Sequence, residues 1–325
     1  VAKEYLTIED ARKNKLKVNF EENKPFKPTK LGVFTHEATV SDLKDFIDWT
    51  PFFKTWDLHG KFPAILEDEI VGTNAKELYV DALSMLNKIE TENLAKPKAV
   101  FGLFKANTVN DDTIELFNEN DNKIEEFYTL RQQAKKSKNQ PNISISDFIA
   151  PKESSIQDYI GAFAVTAGQE IEEVAKAYET NLDDYNSIMV KAIADRLAEA
   201  YAEYLHKYVR TEVWGYAKDE TLSNDELIAE KYKGIRPAPG YPACPDHLEK
   251  ETIFKILEVE KNAGIELTSS LAMYPVSSVS GYYFGNPEAK YFGVGKIKMD
   301  QVEDFAKRKN IELDKAERWL NPNLA

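Results

Sequence analysis

Residues 99–130 read AVFGLFKANTVNDDTIELFNENDNKIEEFYTL. Three runs in this stretch, 99–104, 113–117 and 123–130, are rich in β-branched and aromatic side chains, and polar segments separate them. Apolar runs bounded by Asn and Asp clusters are the pattern of strands joined by turns. Residues 118–122 are all polar and too few for anything but a turn, so the second and third runs pair as an antiparallel hairpin. Further along, 158–167 (DYIGAFAVTA) reads as another strand. IELTSSLAM, SVSGYYF and KYFGVGKI supply two or three more. The strands cluster in hairpins and do not alternate strictly with helices. This predicts an α+β fold with a mainly antiparallel twisted sheet and flanking helices, not a doubly wound parallel sheet.

Helical periodicity fills the intervals. Residues 74–88 place Leu78, Ala82, Met85 and Leu86 on one face. Residues 183–214 form the longest pattern, about eight or nine turns. In it Ile193, Leu197, Ala200 and Tyr204 make one apolar stripe that packs into a core. Shorter helices are expected from Thr7 as cap through Ala11, from Ser41 as cap over DLKDFI, and from Thr50-Pro51. Proline in a first turn forfeits no hydrogen bond. A helix near 250–261 and two more at 301–308 and 315–320 complete the set. Residues 1–30 contain the Pro- and Lys-rich ENKPFKPTK and no periodic apolar face, so they read as an interdomain linker; 31–325 read as one domain.

Charge and composition exclude several classes. The 42 basic and 55 acidic residues leave a net charge of -13, which repels phosphate backbones and argues against a nucleic-acid partner. An acidic surface instead suits a cationic ligand. No apolar run approaches the ~18–20 residues that span a bilayer, so no membrane partner is expected. The start carries no apolar signal segment and the chain has one cysteine, which together predict a cytoplasmic location.

Several motifs fail on spacing. Gly293-Val-Gly295 follows a strand pattern, but Lys-Ile-Lys comes next, not a third glycine opening a helix; a Rossmann phosphate loop is not expected. His36, His59, His206 and His247 show no pair at i, i+3 or i, i+4, and a single cysteine builds no thiolate site, so no metal centre is expected. Cys244 lies in Ala-Cys-Pro with no local base, and reads as buried and inert.

Two stretches admit a functional reading beside a structural one. Asp48 sits in Asp48-Trp49-Thr50-Pro51-Phe52-Phe53 with Trp56 nearby. It is either a cap beside a packed aromatic cluster or a carboxylate in an apolar pocket that meets a ligand ammonium, where low dielectric strengthens the pairing. In 236–245, four prolines fix the backbone, and Ala238 and Tyr241 each precede one and are pushed toward extended geometry. Arg236 at the entrance is a solvated residue on a rigid connector, or a two-pronged grip for a carboxylate. Gly281-Tyr-Tyr-Phe284 and Lys290-Tyr-Phe-Gly293 either stack on a purine or pack across strands. Asp195 and Glu199 share a helix face; Glu199 borders the apolar stripe and has room for a partly buried role.

The order of these pieces resembles the activation domain of cobalamin-dependent methionine synthase. The resemblance rests on Asp48-Trp-Thr-Pro-Phe-Phe53, Ile65-Leu-Glu-Asp-Glu-Ile-Val-Gly72, Asp147-Phe-Ile-Ala-Pro151, Asp158-Tyr-Ile-Gly-Ala-Phe-Ala164 and Ala194-Asp-Arg-Leu-Ala-Glu-Ala200. It rests above all on the specific string Arg236-Pro-Ala-Pro-Gly-Tyr-Pro-Ala-Cys-Pro245. It covers the chain from about residue 31 onward.

The resemblance implies a C-shaped single domain that binds S-adenosylmethionine in a shallow groove. It implies that Asp48 holds the ligand's amino group and Arg236 its carboxylate. Backbone at Ala238 and the side chain of Tyr241 would line the site, Tyr291 and Phe292 would flank the adenosyl part, and Glu199 would lie close to the ligand. Some family members carry two adjacent tyrosines where this chain has Tyr291-Phe292; the change removes one hydroxyl and keeps the flat ring. The implied function is reductive methylation of cob(II)alamin to methylcobalamin, with S-adenosylmethionine as methyl source and an electron from flavodoxin. The cobalamin would be held by another domain of the same polypeptide. In this chain Asp57-Leu-His59-Gly60 resembles the Asp-x-His-x-x-Gly motif that ligates cobalt, but the glycine stands too early and Phe62 occupies its place. No protein acid or base is implied, so no catalytic residue is assigned. The isolated domain is expected to belong to a larger methyltransferase and to bind ligand without turnover. Two alternatives stand beside this reading: a docking module for flavodoxin and the cobalamin domain, and an independent S-adenosylmethionine-dependent small-molecule methyltransferase.

Overall fold

The structure, a computed structural model, describes residues 2–325. Six strands form its main sheet: β1 (Gly32–Glu37), β2 (Lys98–Val109), β3 (Thr113–Phe117), β4 (Lys123–Tyr128), β5 (Asp158–Thr166) and β8 (Ser278–Tyr283). A two-residue ribbon, β6 (Glu266–Leu267) with β7 (Met273–Tyr274), stands apart. Every pairing in the main sheet is antiparallel, in the order β4-β3-β2-β5-β8. The twelve-residue β2 holds two partners on one edge: β1 covers its first half to Leu103, and β3 takes over from Lys105. The antiparallel α+β class expected from the hairpins is the one that forms.

Helices cover both faces of the sheet. Along β2, Ala99, Phe101 and Leu103 point to one side and Val100, Phe104 and Ala106 to the other, as the two-residue period of a strand requires. The first side packs against helices Gly72–Thr91, Glu170–Thr180 and Asp184–Tyr208; the second packs against Glu249–Leu257 and Val259–Ala263. All nine residues of β5 are buried, which explains a run of apolar residues without alternation. A third apolar cluster joins the closing helices Met299–Lys309 and Leu313–Leu320 through Val302, Phe305 and Leu320.

Some local expectations change. The helix after β1 is capped by Thr39, whose hydroxyl and Asp42 form a reciprocal box, so Ser41 lies inside the first turn. The helix near residue 250 breaks at Glu258, which is left-handed (φ 47°), and resumes at Val259. IELTSSLAM pairs only at its ends, as the β6–β7 ribbon. KYFGVGKI forms no strand: the Gly293 carbonyl accepts from the Gln132 side chain, and Val294 N donates to the Pro242 carbonyl. Strand β1 and helix Glu170–Thr180 were not read from the sequence. The alternation GVFTHE is short, and the helix is acidic with only Ile171 and Ala175 fully inside.

The first thirty residues, expected as a linker, lie along the body. Thr7 caps the helix Ile8–Lys13, and Ile8 and Ala11 are buried. Arg12 donates to Asp112 and to Asp304, each at 2.7 Å. Arg131, fully buried, joins the same network through Asp112 and Asp147.

Candidate functional site

Asp48 closes the extended turn before the helix Thr50–Lys54. Its Oδ1 accepts from Thr50 N at 3.1 Å, so it opens that helix as a side-chain turn. The next residue, Trp49, turns inward and meets Phe52 and Tyr79 edge-on. Burying that ring holds Asp48 at the rim, where it lines a cavity of about 120 Å³. Arg196, Glu199 and Glu203 reach the same cavity from the long helix, and Arg236 and Glu230 from later segments. The Arg196 guanidinium donates to the Asp48 carbonyl at 3.4 Å and to Asp195 at 2.7 Å, tying the rim to the helix.

Arg236 is set by the backbone around it. Gly234 has φ 79°, and a Cβ there would collide with the Phe284 carbonyl oxygen, so only glycine permits this approach. Ile235 and Phe284 exchange backbone hydrogen bonds at 3.0 and 2.9 Å, and Tyr282 N donates to the Pro237 carbonyl at 2.8 Å. The proline-rich loop is thereby sewn onto the end of β8. Arg236 N donates to the Tyr291 hydroxyl at 2.9 Å, and that hydroxyl is bonded to Tyr232. The guanidinium Nη2 donates to Glu203 Oε2 at 2.9 Å. Its Nε is buried without a partner, and so is Glu203 Oε1. Behind them His206 is fully buried, stacked on Tyr283 with ring centroids 5.1 Å apart. Burial first, then the cations Arg210 and Arg236, hold it well below its ordinary pKa and keep it neutral.

Four carboxylates, Asp48, Glu199, Glu203 and Glu230, face two guanidiniums, Arg196 and Arg236, across the cavity. Burial raises the Glu199 carboxyl above its usual range, while Arg236 and Arg196 oppose the rise. The Glu230 carboxyl is also raised by burial. Of the four only Glu203 is buried, Asp48 and Glu199 being half-buried and Glu230 exposed, and the excess of acid over base favours an arriving cation.

Of the seven residues singled out from the sequence, Asp48, Glu199 and Arg236 share this cavity. Tyr241 stands 63% exposed at the loop tip, where its phenol feels Glu199 and Asp195. The Ala238 carbonyl is occupied inside the loop, accepting from Tyr241 N at 3.1 Å and from Cys244 Sγ at 3.0 Å. Burial pushes the Cys244 thiol up, consistent with an inert residue. Tyr291 braces Arg236. Phe292 packs on Phe148 at 6.2 Å and joins two apolar clusters, so its ring is tied to the interior. Arg196, Glu203, Glu230 and Tyr232 were not read from the sequence. Glu203 was within reach, lying one turn beyond Glu199 on the same helix face. Glu230 was not, because it follows the short helix Asn224–Ile228 in a left-handed conformation (φ 58°). A larger cavity of about 1020 Å³ lies between residues 248–271 and 315–319, lined by none of the seven. Among the described residues, no helix is long and apolar enough to cross a membrane.

An antiparallel α+β domain with an acid-rich cavity beside a proline-braced loop defines a ligand-binding module. Residues 39–310 match the family described as the vitamin B12 dependent methionine synthase activation domain. A crystal structure of the MetH reactivation domain bound to AdoHcy is similar to the chain with a TM-score of 0.96 and 53% identity, over 99% of each chain. The chain belongs to the activation-domain family of vitamin B12-dependent methionine synthases.

Proposed function

We propose that the domain binds S-adenosylmethionine with its amino-acid headgroup in the cavity between Asp48 and Arg236. The carrying observation is the pairing of an acid and a half-satisfied guanidinium in one small cavity. The buried Arg236 Nε offers a donor to a carboxylate, and Asp48 offers an acceptor to an ammonium. The AdoHcy carried by the similar MetH reactivation domain is the demethylated form of this ligand. At about 120 Å³ the cavity holds a headgroup, not a nucleoside, since sites that engulf larger ligands measure ~300–1,000 Å³. The adenosyl part therefore extends out of the cavity toward the exposed rings of Tyr291 and Tyr241, with Phe292 behind.

Within the whole enzyme the domain supports reductive methylation of a cobalamin held by another domain, with the electron from a flavodoxin-type donor. When bound, S-adenosylmethionine supplies the methyl group. This chain's residues fix the headgroup, keep acid near the sulfonium and aim the methyl outward. Positioning of this kind is worth up to ~7–11 kcal/mol when the reacting atoms are held in line. No side chain is asked to move a proton, and we assign no catalytic residue. Residues 1–30 serve as the connector to upstream modules, residues 31–325 as the ligand domain, and the cytoplasm as its compartment. Titration calorimetry of the isolated domain should give binding heat with S-adenosylmethionine and no S-adenosylhomocysteine production. Absence of both heat and thermal shift at millimolar ligand overturns the reading.

A further inference from the structure

Arg236–Glu203 differs from a second buried ion pair in the same region. Arg210 and Glu220 meet fork to fork, Nε to Oε1 at 2.7 Å and Nη2 to Oε2 at 2.8 Å, so both oxygens are used. Arg210 Nη1 is left without a partner there too, so the difference between the pairs lies in the carboxylate: Glu220 has no free oxygen and Glu203 has one. Arg236 and Glu203 instead share one bond, at 2.9 Å. One donor, Arg236 Nε, and one acceptor, Glu203 Oε1, stay buried and unmatched beside that bond. The Glu203 side chain is only 8% exposed, so bulk water does not readily satisfy the free oxygen. Leaving a buried acceptor unmade is costly and calls for a partner.

An α-amino acid headgroup carries a carboxylate and an ammonium on one carbon. It is the complement of a buried donor and acceptor set side by side. We propose that Glu203 is a third headgroup-binding residue: Oε2 holds Arg236, and Oε1 accepts from the ligand ammonium opposite Asp48. The inference rests on the ligand reading given above and adds to it. Arg236 Nε then takes the ligand carboxylate, and the acid–guanidinium pair reads the whole zwitterion. The geometry around Glu203 supports a fixed role. It lies on the long helix, one turn after Glu199, and Arg236 is held independently through Tyr291 and the Ile235–Phe284 bridge.

The test compares S-adenosylhomocysteine with its deaminated analogue, which keeps the carboxylate and lacks the ammonium, by calorimetry and competition. Glu203→Gln keeps an acceptor for Arg236 Nη2 but turns a donor toward the ammonium. It should weaken S-adenosylhomocysteine by about tenfold or more while leaving the analogue within about threefold. An Asp48→Asn protein gives a second reading that leaves the buried pair intact. It should still prefer the amino ligand over the analogue, because Glu203 remains. Equal loss of both ligands in Glu203→Gln, or no preference left in Asp48→Asn, overturns the proposal. A wild-type protein that binds neither ligand would fault the ligand reading and not the role of Glu203.

Discussion

Asp48 and Arg236 line the same cavity of about 120 Å³, one at the rim before a short helix and the other on the proline-braced loop after Gly234. Neither belongs to the sheet, and each is held by something that cannot easily move. Trp49 and the aromatic cluster pin the first; the backbone stitches to Phe284 and Tyr282 pin the second.

Asp48→Asn and Arg236→Ala should therefore each weaken S-adenosylmethionine binding without unfolding the domain. Loss of one charged hydrogen-bond partner commonly costs ~1.5–3 kcal/mol, about ten- to 150-fold in affinity. Arg236→Ala should also lower the stability of the free domain, because it strands Glu203. Calorimetric titration reads both; wild-type affinity in the two variants would remove the site assignment.

The affinity for the cationic ligand should rise with pH. Glu199 faces Asp195, Arg196 and Glu203 on its own helix, and Arg236 and Tyr241 from the loop. Asp48 and Glu230 line the same cavity. Burial raises its carboxyl, so below that raised pKa the free site holds a proton that a sulfonium must expel. Above it no proton is lost and binding levels off. The neutral thioether of S-adenosylhomocysteine gains nothing from the charge. The preference for S-adenosylmethionine over S-adenosylhomocysteine should thus grow as pH rises through the upper carboxylate range. A preference that stays flat across that range would show that Glu199 does not sense the sulfonium.

The sheet was legible because its strands carry their own signal. β3 runs from Thr113 to Phe117 as the pattern predicts, and β5 stops one residue short of it. The site was legible only in part. Asp48 and Arg236 stood out because unusual neighbours, aromatics in one case and prolines in the other, restrict their backbones. Glu203 and Tyr232 look like ordinary residues in sequence, and their roles arise from what folding places opposite them. Residues 290–297 misled for a related reason: a short run holding Tyr291, Phe292, Val294 and Ile297 resembles a strand until side chains such as Gln132 take its backbone groups.

The buried network at the N-terminal strap should dominate stability. Arg131 is fully buried between Asp112 and Asp147, with bonds at 2.8 and 2.7 Å. Arg131→Met would leave two buried carboxylates with Arg12 as the remaining cation on Asp112. Removing one partner of such a group costs ~3–5 kcal/mol. By contrast Lys44→Ala breaks a surface pair with Glu90 and should cost about 0–1 kcal/mol. Urea denaturation distinguishes them; a shift for Arg131→Met no larger than that for Lys44→Ala would mean the network contributes little.

The loop's shape depends on Gly240 as well as on its prolines. Its φ is 93°, and a Cβ would collide with His247 Cε1 and sit 2.7 Å from Nδ1. The ring has little freedom to retreat, since His247 Nδ1 is bonded to Lys250 Nζ at 3.0 Å and the imidazole faces Trp319. Gly240→Ala must therefore move the loop, and with it Tyr241 and the Ala238 carbonyl that accepts from Tyr241 N. Gly264 is the matched control: its φ is 67° and nothing lies within 4 Å of where a methyl group would stand, so Gly264→Ala carries only the backbone cost of ~1–2 kcal/mol. Both variants should lower the melting temperature, but only Gly240→Ala should weaken S-adenosylmethionine binding. Equal ligand affinity in the two would mean that the loop's conformation does not shape the groove.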